Sequence, residues 1–492
     1  MAVSREKKVV KYPEQKEHIF VTKDIILEYG QNAVGKLAGD FDKDGRLRDA
    51  GNKGRVGHTI EEGIYGYHIN SESEPDFPEA GVELKSTGVL RNKNNEYTAK
   101  ERLVLNIINY MKEAGASFDT SSFWHKNQCL MLIVYEYLKG RPYVDFPIVA
   151  AELFTYPVED LYIIRDDWAK IVGKIRAGKA HELSEGDTLY LGACTKGSKG
   201  GNPRPQPFSD VLAKQRAYCL KQSYMNYVIQ THIFHEKAEE RIVYDVQKIK
   251  DKSFEEYIIE KLDTYKGKSV RELVDELGIV FKVKDGKKVI PKNLDSLVAF
   301  RMFGVKGNKA EELEKAGVVV KIIHLNTKGT NKESVSFPAF DFQELIAEDN
   351  WEESDFCERL QGTRYLFVVF RGTKMDARLL GGQFWTFPNS DLNDARLVWE
   401  HMRKILQEDC LEVNIKGGTV YNNLPKSSQN RVAHVRPHGL DRDDRCLLPE
   451  GTQVHIMSTD GTVDCPVNSF TKQCFWLNKK YVLSQLDARF KR

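Results

Sequence analysis

The apolar residues of this chain fall into short runs at two periods. Leu130 to Tyr137 is almost unbroken apolar, the pattern of a strand covered on both faces. Val82 to Leu84 is a shorter run of the same kind. Across Lys100 to Tyr110, Leu103, Leu105 and Ile107 recur every second residue and predict a strand with one apolar face. Residues 24–38, 58–68, 165–177 and 209–229 read as helices, and the second of these carries the pair Glu61-Glu62. Ser253 to Ile279 predicts two helices with Gly278 as the stop. Interleaved elements of both kinds predict a mixed α/β protein in which sheets are flanked by helices.

The second half of the pattern echoes the first in order. Ala316-Gly317-Val318-Val319-Val320-Lys321 repeats Ala80-Gly81-Val82-Glu83-Leu84-Lys85. Tyr365 to Phe370 takes the place of the Leu130 strand, and Phe470 to Leu477 mirrors Leu212 to Leu220. The order predicts two tandem copies: residues 1–235, a linker over 236–252, and residues 253–492. In the second copy Val319 stands where the first has Glu83, and Glu312 falls near the place of Asp76. The echo therefore predicts a second copy that keeps the scaffold and has lost its chemistry.

A length of 492 residues suits two or three cores. The net charge of +2 sets up no global field, so affinity for a polyanion must come from local patches. Eight cysteines are scattered without a Cys-x-x-Cys pair, which argues against zinc ribbons and disulfide frameworks and fits a reducing cytoplasm. The first residues lack the apolar core of a signal peptide, no apolar stretch is long enough to span a membrane, and no P-loop is present.

The candidate chemistry lies in Pro75-Asp76-Phe77-Pro78-Glu79-Ala80-Gly81-Val82-Glu83-Leu84-Lys85. On a strand Glu83 and Lys85 share one face, while Val82 and Leu84 take the other. Asp76, just after a proline at the mouth of a turn, can fold back beside them. Carboxylate oxygens are the ligands a hard divalent cation takes, and Mg²⁺ sites use one or two of them together with substrate phosphate. A lysine beside such a site can orient or deprotonate an attacking water, the equipment of phosphodiester hydrolysis. Glu-x-Lys on a strand is also a common solvated face, so the surroundings decide.

Two of those surroundings are basic. Residues 190–226 hold Lys196, Lys199, Arg204, Lys214, Arg216 and Lys221 against Asp210, with Phe208, Tyr218 and Tyr224 interleaved. Residues 467–492 repeat the balance, with Lys472, Lys479, Lys480, Arg489, Lys491 and Arg492 against Asp487. Lys and Arg neutralise phosphates, and Arg also reads guanine edges in bidentate fashion. Either run alone could be a solvated helix face. Matched runs at matching places in two copies favour DNA.

Taken together, the Pro75–Lys85 motif, Lys100 to Tyr110, Gly178-Lys179-Ala180-His181-Glu182-Leu183-Ser184-Glu185-Gly186 and His434-Val435-Arg436-Pro437-His438 resemble the MutH/Sau-type GATC endonucleases, and most closely the two-copy Sau-type restriction enzymes. The resemblance covers nearly the full chain. It implies a restriction-endonuclease-like PD-(D/E)xK fold in each copy and Mg²⁺-dependent double-strand cleavage at unmodified GATC. It places the acidic residues and lysine on Glu62, Asp76, Glu83 and Lys85, with a second lysine at Lys126. Glu62 lies four residues before Gly66 and fourteen before Asp76, as the pattern requires, whereas counting forward from Val56-Gly57 points to Glu61. The implied metal ligands are Asp76, Glu83 and the Leu84 carbonyl, with Lys85 positioning the attacking water and Lys126 supporting the phosphate or Glu83. The family's Arg-Pro-Lys reading loop appears here as Cys194-Thr195-Lys196, while the second copy has Arg436-Pro437-His438. The implied DNA contacts are therefore the six basic residues of 190–226 together with Arg436, His438, Lys472 and Trp476.

The resemblance further implies that the second copy is an effector holding a second DNA site, and that a cognate methyltransferase works in the same system without direct contact. Two rival readings are a methyl-directed GATC nicking enzyme of mismatch repair and a non-catalytic DNA-binding regulator. The duplicated half argues against the first. The intact Asp-Glu-Lys set argues against the second.

Overall fold

A computed structural model describes residues 20–48, 54–66, 73–92, 94–196, 203–236, 239–284, 287–331, 333–417, 419–458 and 466–491. The chain forms two compact units. One comprises Met1–Phe254 and Lys309–Val318, the other Glu255–Asn308 and Val319–Arg492. Segment 236–252, expected as a linker, thus lies in the first unit, and so does a short return of the chain at 309–318.

The first unit is built on a mixed sheet with the order β2-β1-β4-β5. Its strands are β1 (Glu83–Arg91), β2 (Tyr97–Ala99), β4 (Cys129–Glu136) and β5 (Ile148–Thr155). β1 runs parallel to β4, and β5 is antiparallel to it. β4 is the expected apolar run, and Leu130 to Val134 are fully buried, because both faces of a central strand are covered. Its odd residues Cys129, Met131, Ile133 and Tyr135 join the core beneath α1 (Lys23–Gln31) and α2 (Arg55–Tyr65). Val82 and Leu84 belong to that same core. Glu83 and Lys85 are therefore committed to the opposite face, in register with Leu130 and Leu132.

A second, antiparallel sheet has the order β3-β9-β6, from β3 (Leu103–Ile107), β6 (Leu191–Thr195) and β9 (Arg216–Leu220). β7 (Pro203–Gln206) and β8 (Ser209–Lys214) form a hairpin. The expected helix over 209–229 is thus corrected. Strands occupy most of it, and only α6 (Gln222–Tyr227) is α-helical. The reason is burial: every residue from Arg216 to Leu220 is inside, which a sheet interior permits and a one-faced helix does not. The Lys100–Tyr110 strand is confined to Leu103–Ile107 and is bulged, so Ile107 ends 43% exposed.

In the 309–318 segment, Glu312 accepts hydrogen bonds from the main-chain nitrogens of Ile242 and Val243 at 2.8–3.1 Å. Lys315, 1% exposed, pairs with Asp160 at 2.7 Å and Glu311 at 2.9 Å. Glu312, which the echo sets near the place of Asp76, thus caps backbone.

The second unit is also a mixed α/β body built on several sheets. It has a sheet ordered β12-β14-β15 and an antiparallel sheet ordered β13-β22-β18. The strands are β12 (Val318–Leu325), whose first residue still belongs to the first unit, β13 (Val335–Ser336), β14 (Arg364–Arg371), β15 (Arg378–Thr386), β18 (Ala433–Pro437) and β22 (Gln473–Leu477). β19 (Arg445–Leu447) pairs with β21 (Ser469–Thr471), as β7 pairs with β8. A short helix precedes each central strand and is N-capped by a serine, Ser121 before β4 and Ser354 before β14. Gly81 and Gly317 open β1 and β12 at φ +62 and +60. This left-handed turn admits glycine at little cost, which is why the Ala-Gly-Val echo carries over into structure. A further sheet, β17-β16-β20, made from β16 (Leu411–Lys416), β17 (Thr419–Asn422) and β20 (Val454–Ser458), has no counterpart among the described residues of the first unit.

Candidate active site

The turn between Phe77 and Val82 brings Asp76 back onto β1. Phe77 N donates to the Val82 carbonyl at 2.9 Å, and Val82 N returns a bond to the Phe77 carbonyl at 3.2 Å. Asp76 and the strand then lock together, with Asp76 N donating to Glu83 Oε2 at 3.1 Å and Leu84 N donating to Asp76 Oδ2 at 3.0 Å. Lys85 Nζ lies 2.5 Å from Glu83 Oε1, and Lys126 Nζ is 3.6 Å from the same oxygen. Lys126 comes from α4 (Ser122–Asn127). Buried Glu113 holds the start of that helix: its Oε1 accepts from Ser122 N at 3.0 Å, and its Oε2 accepts from Tyr218 OH at 2.9 Å. Four of the expected residues, Asp76, Glu83, Lys85 and Lys126, are thus brought together with the Leu84 main chain.

Glu62 is not with them. It forms an ion pair with Arg46 at 2.9 Å. The carboxylate nearer the charges of Lys85, Asp76 and Glu83 is Glu61, the alternative to which the forward count points. Burial, together with the nearby Asp76, Glu83 and Glu62 charges and against the pull of Lys85, pushes Glu61 up to about 7. The reason lies in how α2 packs. A side chain at Gly57 would meet Ser86 Oγ at 3.0 Å, and one at Gly63 would run into Phe41. Glu61 follows Gly57 by one helical turn and shares its face toward β1. The forward count from Val56-Gly57 held this signal.

Burial also works against the charge on Lys85, but Glu83, Asp76 and Glu61 outweigh it and raise its pKa, so Lys85 stands as a cation among carboxylates. Among the described residues no three His, Cys, Asp or Glu side chains form a ready-made metal cage. The donor set nonetheless fits a hard divalent cation, which takes one or two carboxylates and a carbonyl and completes its shell with water and substrate. A carboxyl whose pKa is raised first by burial and then by neighbouring carboxylates is one whose charge a bound cation would favour.

Among the described residues, β12 carries no carboxylate at the place of Glu83. Lys321 takes the place of Lys85, and burial lowers its pKa, with only Cys474 acting against that. Val319, at the place of Glu83, is 37% exposed.

The expected DNA contacts divide. Lys196, Arg204 and Lys214 are exposed on the first unit. Arg204 Nη2 donates to Gln215 Oε1 at 3.2 Å, and Lys196 N to the Gln215 carbonyl at 2.9 Å. Lys196 is also near enough to His58 on α2 to depress it, behind burial and Arg46. Arg216 and Lys221 are corrected: both side chains are buried and spent on main-chain carbonyls, Arg216 on Ala193 at 2.6 Å and Lys221 on Thr188. Lys199 lies outside the described residues. On the second unit the exposed Arg436 guanidinium stacks on Trp476 at 4.7 Å, with His438 5.6 Å from the same ring. Lys472 is paired with Asp444 at 2.5 Å. Glu61 was one of the two alternatives the sequence offered, whereas the buried roles of Glu113 and Tyr218 were not legible in it. A buried Glu–Tyr pair 105 residues apart leaves no periodic trace.

The family of the DNA mismatch repair enzyme MutH matches residues 65–167, which span Asp76 to Lys126. The type II restriction enzyme Sau3AI of Staphylococcus aureus is 36% identical over 498 aligned residues, covering 95% of this chain and 99% of that one. The DNA mismatch repair protein MutH of Shewanella woodyi is 29% identical over 31% of this chain and 62% of its own, and that of Serratia proteamaculans 25% over 45% and 95%. Double-stranded DNA as partner and dependence on a divalent metal go with this kinship. The chain belongs to the Sau3AI- and MutH-related type II restriction endonucleases and is a site-specific type II deoxyribonuclease.

Proposed function

We propose that the first unit cuts both strands of DNA at unmodified GATC with Mg²⁺, and that the second is a silent copy that binds a second GATC site as an effector. The observation that carries this reading is the contrast between the two strands that open at a left-handed glycine: β1 holds Glu83 and Lys85 beside Asp76, and β12 holds Val319 and Lys321. The matching sheet orders support a restriction-endonuclease-like fold in tandem. GATC and the absence of modification come from the sequence resemblance, as does the methyltransferase of the same system. The scattered cysteines support a cytoplasmic setting.

Asp76, Glu83 and the Leu84 carbonyl would hold Mg²⁺, with Glu61 as the third carboxylate. The bound ion would neutralise charge developing on the phosphate. Lys85, held as a cation by Glu83, orients the attacking water toward the phosphorus. Lys126 steadies Glu83 at the oxygen it shares with Lys85. In-line attack leaves a 5′-phosphate.

Incubation of the protein with GATC plasmid in Mg²⁺ or in EDTA tests the reading. Linear product in Mg²⁺ alone is expected. Nicked circles would favour the mismatch-repair type of reaction, and retarded but uncut plasmid would favour a regulator.

A further inference from the structure

The β7–β8 hairpin turns through Pro207-Phe208, with Gln206 paired to Ser209 across it. Phe208 sits at φ +62 and is 79% exposed. A proline followed by a residue of positive φ is the pattern of a tight turn that wants glycine in second place. A bulky aromatic there is strained, and such strain persists only where surrounding structure enforces it. Two contacts enforce it. Buried Gln206 accepts from Ala180 N at 2.7 Å, sits 3.0 Å from His181 Nδ1 and donates to the Val211 carbonyl. Gly178, at φ +68, presses on the turn so closely that a side chain there would lie 2.6 Å from the Phe208 carbonyl. The Gly178–His181 motif thus serves as the seat of the hairpin.

The seat holds up an apolar tip. Val211 and Leu212 are 52% and 56% exposed beside Phe208, whereas Tyr218 and Tyr224 from the same stretch are fully buried. Lys196, Arg204 and Lys214 are exposed on the same stretch of chain, with Asp210 on the hairpin and Glu182 beside its seat as exposed acids. Gln215 joins Arg204 to Lys196. An apolar tip inside a basic rim is complementary to a phosphate backbone with a stack of bases behind it.

We propose that Phe208 is a wedge that presses between base pairs of the bound duplex, with Val211 and Leu212 against the opened step and the basic rim on the flanking phosphates. Proteins that insert apolar side chains unstack a base step and bend the helix, gaining contact elsewhere. The wedge rests on the reading of the first unit as the part that grips DNA, and it sets how that DNA is shaped.

The test uses the full-length protein, EDTA to keep DNA whole, and a GATC duplex with 2-aminopurine at successive positions beside the site. Wild type should raise 2-aminopurine fluorescence at one step. Phe208→Gly suits the backbone better, so its Tm should equal or exceed that of wild type. It should abolish the fluorescence rise and weaken binding by about tenfold, the scale of one lost aromatic–base stack. Phe208→Trp should keep both. Equal affinity and equal fluorescence for Phe208→Gly would overturn the wedge and assign the tip to a protein contact. If wild type binds scrambled duplex as tightly as GATC duplex, the GATC assignment falls, and the wedge is still decided by the same comparison on the scrambled DNA.

Discussion

At the scale of single residues, the account turns on which of two adjacent glutamates faces the cluster. Glu62 faces Arg46, and Glu61 faces Asp76, Glu83 and Lys85. Glu61→Gln should lose most cleavage while Glu62→Gln keeps it. The same residue predicts a pH effect that needs no activity. Its pKa is raised from 4.5 to about 7 in the folded protein, so its stabilising contribution is full below 4.5 and is lost as pH rises through 7. The loss amounts to about 3 kcal/mol at most, at 1.36 kcal/mol per unit. In EDTA the Tm of wild type should fall relative to Glu61→Gln between pH 5 and pH 8. A divalent cation should restore it. Parallel Tm profiles for the two proteins would remove Glu61 from the cluster.

At the scale of elements, burial decides what a basic residue is for. Arg216 and Lys221 lie on or beside β9, inside a sheet, and satisfy carbonyls, whereas Lys196 stands at the exposed end of β6. Lys196→Ala should weaken DNA binding and reduce the slope of log affinity against log salt by about one. Arg216→Ala should leave that slope unchanged and lower the Tm, since it strands a buried carbonyl, at a cost of about 1–3 kcal/mol. The reverse pattern would put Arg216 on the DNA. The sequence made the strong elements legible. β4 declares itself by an unbroken apolar run, and the Phe77–Val82 turn by Gly81. It hid β8 and β9, because charge counted along 190–226 does not say which face each residue takes, and a buried Arg on a strand looks like an exposed one on a helix. Glu61 was within reach through Gly57, one helical turn before it. Counting back from Gly66 points to Glu62 instead, because a count along the chain does not see how closely Gly63 packs on Phe41.

At the scale of the whole molecule, β1-β4-β5 in one unit and β12-β14-β15 in the other stand in similar order, with Glu83 on β1 answered by Val319 on β12. If the second unit grips its own site, it raises the effective concentration of another site on the same DNA. Two-site plasmids should be cut faster than one-site plasmids, and added GATC oligonucleotide should stimulate the latter. Arg436→Ala should abolish that stimulation while basal one-site cutting survives, because the guanidinium on Trp476 is poised for bidentate recognition of guanine. Equal rates on both plasmids, without a response to oligonucleotide, would leave the second unit as structural support.

The most direct test of the central assignment compares Glu83→Ala with Val319→Ala, the paired positions of β1 and β12, for duplex binding and for plasmid cleavage in Mg²⁺. The account predicts that Glu83→Ala binds GATC duplex about as tightly as wild type and yields no linear product, while Val319→Ala cuts like wild type. Linear product at the normal rate from Glu83→Ala would contradict it.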